Sequence, residues 1–266
     1  MNYIKYAFSQ YLYWLGIFAT IITVVSLFPL NIKDAIKWII LGACFLLPFL
    51  IPFSVSFFRR NYRLTTIGKT KLSLMFGNLF NEKCFVITTD IYFDVNPTGK
   101  WISPSSLLGE FVNCFFKNKV GELEKLIHKE LSKLEEIAHK DKNGTSYYDY
   151  GTTIKIKYHD KIIYFLAFSH RLKTKQPDDF YILTLQKFLE TILNENHGET
   201  IAVPLFGDNN NLSNSGFDNS AMSLKCLMAM INNFEIRNQR SEIKLKIVAL
   251  PEKRSTLLGV IKHYKR

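Results

Sequence analysis

Two segments of the chain hold the residue types that bring main-chain N–H groups up to a phosphate. The first, DIYFDVNPTGKWISPSSLLG, covers residues 90–109, and the second, PLFGDNNNLSNSGFDNS, covers 204–220. Both are rich in Gly, Asn, Asp and Ser, which bend tightly and let an anion approach the backbone. The same composition suits an ordinary surface loop, so ligand cradle and plain connection stand side by side here. Other chemistries lack their residues. His128, His139, His159, His170, His197 and His263 fall into no metal-ligand spacing, and His128 and His139 belong to a charged helix face. Cys44, Cys84, Cys114 and Cys226 lie far apart with no CxxC, which speaks against zinc or a disulfide framework and suits a reducing compartment. No GxSxG and no Walker A sequence is present, so serine-hydrolase and P-loop chemistry find no support. Asp178-Asp179 reads as the cap of the helix that follows.

An anion cradle needs a loop that leaves a strand and enters a helix N-terminus, because ligands of open α/β sheets bind beyond the strand C-termini. The pattern supplies both halves. Strands are predicted over 71–80 and 84–89, followed by a helix over 104–116 capped by Ser103 with Pro104 at its first position. Val120, Leu123, Leu126, Ile127, Leu131, Leu134 and Ile137 recur at helical spacing, which predicts a helix over 120–139. Strands over 152–158 and 161–168 are joined by the turn His159-Asp160. A helix over 179–196, a strand over 200–205, a helix over 219–234 and a strand over 242–250 complete an α/β domain whose helices cover a mixed sheet. The first candidate loop then enters the helix at Pro104 and the second the helix at Asn219.

The chain has 266 residues, 47% of them hydrophobic, with 34 Lys+Arg against 23 Asp+Glu for a formal charge of +11. That composition excludes a disordered chain. The lysines do not make a nucleic-acid stripe, because acids interleave with them, as in ELEKLIHKELSKLEEIAHK over 122–140, and no aromatics alternate with them. The apolar residues are concentrated at the front. Residues 6–32 carry no charge and neither do residues 38–58, each long enough for a helix across a bilayer core, which takes about 20 residues. Only NIKDAIK separates them, so they read as a transmembrane helical hairpin. A cleaved signal peptide fits poorly, because no small-residue cleavage site follows and a second span comes at once. Arg59, Arg60, Arg63, Lys69 and Lys71 follow the second run, while the connecting loop has Lys33 and Lys37 against Asp34. The positive-inside rule therefore puts the C-terminal domain in the cytoplasm. Tyr11, Tyr13, Trp14 and Trp38 are expected as aromatic anchors where they fall near an interface, and Pro48 and Pro52 predict a kink or local unwinding in the second span.

The ordered series FGNLF (76–80), VITTDIYFD (86–94), SSLLGEF (105–111), YGTTIKI (150–156) and IAVPLFGDNNN (201–211) resembles a macro domain. More narrowly it is similar to the macro domain of the Thoeris bacterial anti-phage systems. With two predicted spans ahead of it, the architecture resembles the membrane effector of type II Thoeris. The implied organisation is a two-helix transmembrane region over 1–60 and, over 61–266, a macro-like three-layer α/β/α domain with a mixed sheet.

The resemblance also implies site residues for an ADP-ribose derivative. Asn78, followed by Leu79, stands where many macro domains place an Asp that accepts from the adenine amino group. Asp90 stands at a strand end where the family has Asn, and Phe93-Asp94 match its aromatic-acid pair. Ser105, Ser106, Leu107, Leu108 and Gly109 resemble its Ser-Leu-His-Gly motif, with Leu108 at the His position. In the second loop Pro204, Leu205 and Phe206 lead to Gly207, the first glycine of a Gly-x-Gly, where Asp208 and Asn209 replace a small hydroxyl residue and the second glycine. Asn211, Gly216 and Phe217 continue that loop. The implied function is a non-enzymatic, inner-membrane effector without cofactor, metal or catalytic residue. It senses a signal, histidine-ADP-ribose, made by a TIR-domain partner, and then assembles as a homo-oligomer that disrupts the bilayer in abortive infection. A membrane-tethered ADP-ribose hydrolase is the alternative.

Overall fold

A computed structural model describes residues 61–97, 101–170, 180–195, 198–206, 220–237 and 242–264, together with Gly16, Ala19 and Thr23. The chain divides into two compact units, Met1–Tyr62 and Arg63–Arg266. In the first, Gly16, Ala19 and Thr23 are helical, and the Thr23 hydroxyl donates to Ala19 O at 2.9 Å. The two uncharged runs otherwise lie outside the described residues. Among the described residues no helix is long and apolar enough to cross a membrane.

The second unit is built on a seven-stranded sheet. Its strands are β1 (Asn61–Ile67), β2 (Thr70–Phe76), β3 (Cys84–Asp90), β6 (Thr153–Tyr158), β7 (Lys161–Ser169), β8 (Thr200–Pro204) and β9 (Ile243–Ala249). Their order across the sheet is β1-β2-β9-β8-β3-β7-β6. The pairs β2–β9, β9–β8, β8–β3 and β3–β7 are parallel, and β6 is antiparallel to β7. A separate small ribbon pairs β4 (His139–Lys140) with β5 (Ser146–Tyr147). The helices are α1 (Leu107–Phe115), α2 (Val120–Leu131), α3 (Phe180–Glu195), α4 (Ser220–Arg237) and α5 (Arg254–Tyr264).

Alternation along the strands decides the layers, since successive side chains point to opposite faces. Phe85 and Ile87 of β3, Ile154 and Ile156 of β6, and Ile163 and Phe165 of β7 face one core, closed by Phe111 and Val112 of α1 and Leu123 and Ile127 of α2. Phe111 anchors it, with ring centroids 5.2 Å from Phe115, 5.6 Å from Phe165 and 6.1 Å from Phe85. Each such ring contributes about 1.5–3 kcal/mol by leaving water. The intervening residues, Val86, Tyr164, Leu166, Ile201, Val203 and Ile247, are equally buried on the opposite face, where α3 packs against β7 and α4 against α3 and α5. The mixed-sheet α/β expectation therefore holds.

Several boundaries differ from the expected ones. The helix predicted from Pro104 starts at Leu107, because Ser106, not Ser103, is its cap: Ser106 Oγ accepts from Gly109 N at 3.1 Å. Ser103 instead closes the preceding turn, its carbonyl accepting from Ser106 N at 2.9 Å. The helix predicted over 120–139 stops at Leu131, where the Ser132 hydroxyl bonds back to Lys129 O at 2.9 Å and the chain tightens into a 3-10 turn, Ser132–Ile137. The strand predicted to reach residue 80 ends at Phe76, since Asn78 Oδ1 accepts from Phe80 N at 2.8 Å and starts a 3-10 turn over Leu79–Asn81. Strand β1, the β4–β5 ribbon and α5 were not expected at all.

Candidate functional site

Parallel pairing puts strand C-termini on one edge. Phe76 lies opposite Ala249, Pro204 opposite Val248 and Asp90 opposite Ser169, so the segments that follow β2, β8 and β3 leave the sheet on the same side. These are the segments that carry Asn78, the described start of the second loop, and the first loop. Gly77 N donates to Ala249 O at 3.0 Å, which holds exposed Asn78 beside the end of β9. Its side-chain oxygen is engaged with Phe80 N, so Asn78 works locally as a turn cap.

Asp90 organises the first loop. Its Oδ1 accepts from Tyr92 N at 3.0 Å and from Asp94 N at 3.2 Å, while its carbonyl accepts from Phe93 N at 3.1 Å. The carboxylate charge is thereby spread over two backbone dipoles, which lessens its repulsion of a neighbouring anion. Asp94 repeats the device on Asn96 N at 3.0 Å. Phe93 takes a left-handed backbone with φ of 54°, and this turns its ring into the core, edge-on to Tyr148 at 5.6 Å. Such a φ costs a non-glycine residue about 1–2 kcal/mol, offset here by the ring's burial.

The N-terminus of α1 closes the loop. Its first turn leaves the N–H groups of Leu107 and Leu108 without intrahelical partners, the arrangement that receives an anion. Ser105 is exposed and Ser106 and Leu107 are half-buried, so this turn is accessible. Gly109 has a packing role. A Cβ there would lie 2.2 Å from Ser103 O and 2.9 Å from both Cα and O of Pro104. Only glycine lets that backbone cross so close to the helix.

Of the residues expected from sequence, Asp90, Phe93 and Asp94 form one hydrogen-bonded loop start, and Ser105, Ser106, Leu107, Leu108 and Gly109 form the helix entrance. Leu79, Phe93 and Leu108 share a single buried cluster, where they brace the loops from beneath. Pro204 is half-buried, while Leu205 and Phe206 are buried. Phe206 stacks on Phe168 at 5.5 Å and its carbonyl accepts from the Tyr181 hydroxyl at 3.3 Å, which pins the second loop to α3. Gly207, Asp208, Asn209, Asn211, Gly216 and Phe217 lie outside the described residues, as do Asp178-Asp179. Among the described residues no group of His, Cys, Asp and Glu is arranged to hold a metal ion.

Sequence reasoning missed the wall beyond β7. Tyr148 N donates to Ile91 O at 2.9 Å and Gly151 N to Ala167 O at 2.8 Å, so residues 148–151 flank the first loop. Gly151 has φ of +83°, and a Cβ there would lie 2.8 Å from Thr184 O, so α3 approaches the backbone closely at this point. The available signal was the aromatic run SYYDY over 146–150.

Macrodomains are among the solved structures that share this fold. The Oceanobacillus iheyensis macrodomain with ADP is 13% identical with a TM-score of 0.51, over 76% of this chain and 95% of that one. A glycine-to-valine mutant of the same macrodomain with ADPR gives 13% and 0.52 over 76% and 97%, and the form with MES bound gives 13% and 0.51 over 76% and 96%. The second unit therefore has a macro-domain fold. No curated protein matches the chain. The family described as "Thoeris protein ThsA, Macro domain" matches residues 72–249, about two thirds of the chain, and the chain belongs to that family.

Proposed function

We propose that this protein is a membrane-anchored effector of bacterial anti-phage defence whose macro domain binds an ADP-ribose-derived signal. The observation that carries the reading is the ThsA macro-domain match over residues 72–249, which spans every strand end that frames the site. Further support comes from the Oceanobacillus iheyensis macrodomain, which shares the fold and was solved with ADP and with ADPR. The entrance of α1 turns main-chain N–H groups towards an anion, a feature that supports ligand binding. We propose binding and not turnover.

The signal in this proposal is histidine-ADP-ribose supplied by a TIR-domain partner. The uncharged runs over 6–32 and 38–58 support anchoring in the inner membrane with the macro domain on the cytoplasmic side. Ligand acts on those segments only through different affinities for two states of a homo-oligomer, the occupied state being the one that breaches the bilayer and aborts infection. Calorimetry on the full chain in detergent tests the first step, with products followed by chromatography. Stoichiometric binding of an ADP-ribose compound without product is expected. Failure of every such compound to bind would sink the reading, and sustained release of ADP-ribose from a modified substrate would replace it with a hydrolase. In cells, removal of residues 1–58 is expected to abolish toxicity.

A further inference from the structure

The two edges of the seven-stranded sheet are built differently. One edge is β6, where Lys155 and Lys157 set charges along the strand and Lys157 is exposed. Charged residues on an edge keep a foreign strand from adding to it. The other edge is β1, and among the described residues no strand lies beyond it. Its sequence NYRLTTI is rich in residues that favour strands, holds no proline and carries Arg63 as its one charge. The Arg63 guanidinium donates to Thr66 Oγ1 at 3.0 Å, an exposed bond within its own strand. Leu64, at the centre of β1, is buried, and Thr65 and Ile67 are half-buried.

We propose that β1 pairs antiparallel with β1 of a second copy of this chain, joining two sheets across a two-fold axis. The inference rests on the proposed homo-oligomer and names its contact. A strand edge is self-complementary, because a two-fold axis lets the same N–H and C=O groups of both copies bond to each other. With the axis at Leu64, Arg63 falls opposite Thr65 of the second copy, so no like charges face each other directly. Centring on Arg63 instead would set the two arginines face to face, which disfavours that register. Pairing of seven residues covers far less than the roughly 1,200 Å² that a stable interface takes, so free copies would not hold it. The strand begins at Asn61, directly after the uncharged run over 38–58, and anchoring of that run in one bilayer would keep the edges of neighbouring copies at high effective concentration. That tether favours a second copy over the strand of a soluble partner.

The full chain is reconstituted in vesicles of phosphatidylcholine and phosphatidylglycerol, and energy transfer between copies labelled at the C-terminus reports association. In a background of Cys44→Ser, Cys114→Ser and Cys226→Ser, oxidation of mixed Arg63→Cys and Thr65→Cys copies is expected to give at least about fivefold more disulfide-linked dimer than Lys157→Cys copies on the other edge. Thr65→Lys, which faces Arg63 of the second copy, is expected to raise the copy density for half-maximal transfer about tenfold, while Thr65→Val stays within about twofold. Transfer without a disulfide above the Lys157→Cys level would overturn the β1 contact and leave the oligomer standing, as would unchanged transfer in Thr65→Lys. Equal losses in Thr65→Lys and Thr65→Val would reduce position 65 to a support of the fold and overturn the inference. Absence of transfer in the native chain would overturn the homo-oligomer and this inference with it.

Discussion

Replacing Gly109 with Ala tests the construction of the site most directly. In a helix this change normally stabilises by up to about 1 kcal/mol, because alanine restricts the unfolded chain. Here the added Cβ would sit 2.2 Å from Ser103 O and 2.9 Å from Pro104 Cα, and both are backbone atoms that cannot rotate away. Restoring ordinary contact requires the 103–104 segment to move outward by about 1 Å. That movement strains the bonds by which Ser103 O accepts from Ser106 N at 2.9 Å and Ser106 Oγ at 2.6 Å. Overpacking costs about 1–3 kcal/mol and a weakened hydrogen bond about 1, so after the helical gain a net loss of about 1–3 kcal/mol remains. Urea unfolding followed by far-UV circular dichroism measures the loss, with Gly121→Ala as the control. Gly121 lies in α2 with nothing within 4 Å of its added Cβ, so that variant is expected to gain up to about 1 kcal/mol. Because the displaced segment leads into the anion-facing turn, Gly109→Ala is also expected to weaken ADP-ribose binding. An unfolding midpoint equal to or above that of the native chain would mean that the backbone does not cross Gly109 so closely.

Other expectations follow from single contacts. Asp90→Ala strips the Tyr92 and Asp94 N–H groups of their acceptor and is expected to cost about 1–3 kcal/mol, whereas Asp90→Asn, which keeps an oxygen, stays near native; thermal melts of the two variants decide it. The Thr184 hydroxyl is fully buried and makes no hydrogen bond among the described residues, so Thr184→Val is expected to raise stability by about 1 kcal/mol, and a lowered melting temperature would contradict that. Exposed Cys114 is expected to react with iodoacetamide at pH 8 well before buried Cys84, as peptide mapping would reveal. Burial pushes the Cys84 thiol from its ordinary 9.0 up to about 12, with Glu199 adding to the rise and Lys155 opposing it. The unfolded chain releases this proton first, so stability falls as pH climbs from 9.0 towards about 12. Cys84→Val is expected to flatten that decline in melting temperature against pH; an unchanged slope would show that other groups cause it.

Local pattern alone dictated the alternation of strands and helices in the second unit, because the apolar residues recur with period 2 over 153–158 and near 3.6 over 120–131, and burial rewards either pattern whatever its neighbours. It also marked both candidate loops, since Gly, Asn, Asp and Ser favour turns through their own local bonding. Element ends were less legible where two caps competed. Ser103 and Ser106 look alike in the sequence, and only the crossing of 103–104 over Gly109 selects Ser106. Strand β1, in which Leu64 is the one buried residue, carries too weak an apolar pattern to announce itself and gains its place from pairing beside β2. The ring contacts among Tyr92, His139, Tyr147 and His170 are entirely a tertiary product: they arise because β3 pairs with β7, β4 pairs with β5, and the chain after that ribbon bonds back to Ile91 through Tyr148 N. Local sequence fixes the conformations a segment prefers, whereas the meeting of distant side chains depends on sheet order, and sheet order is settled by which faces bury together.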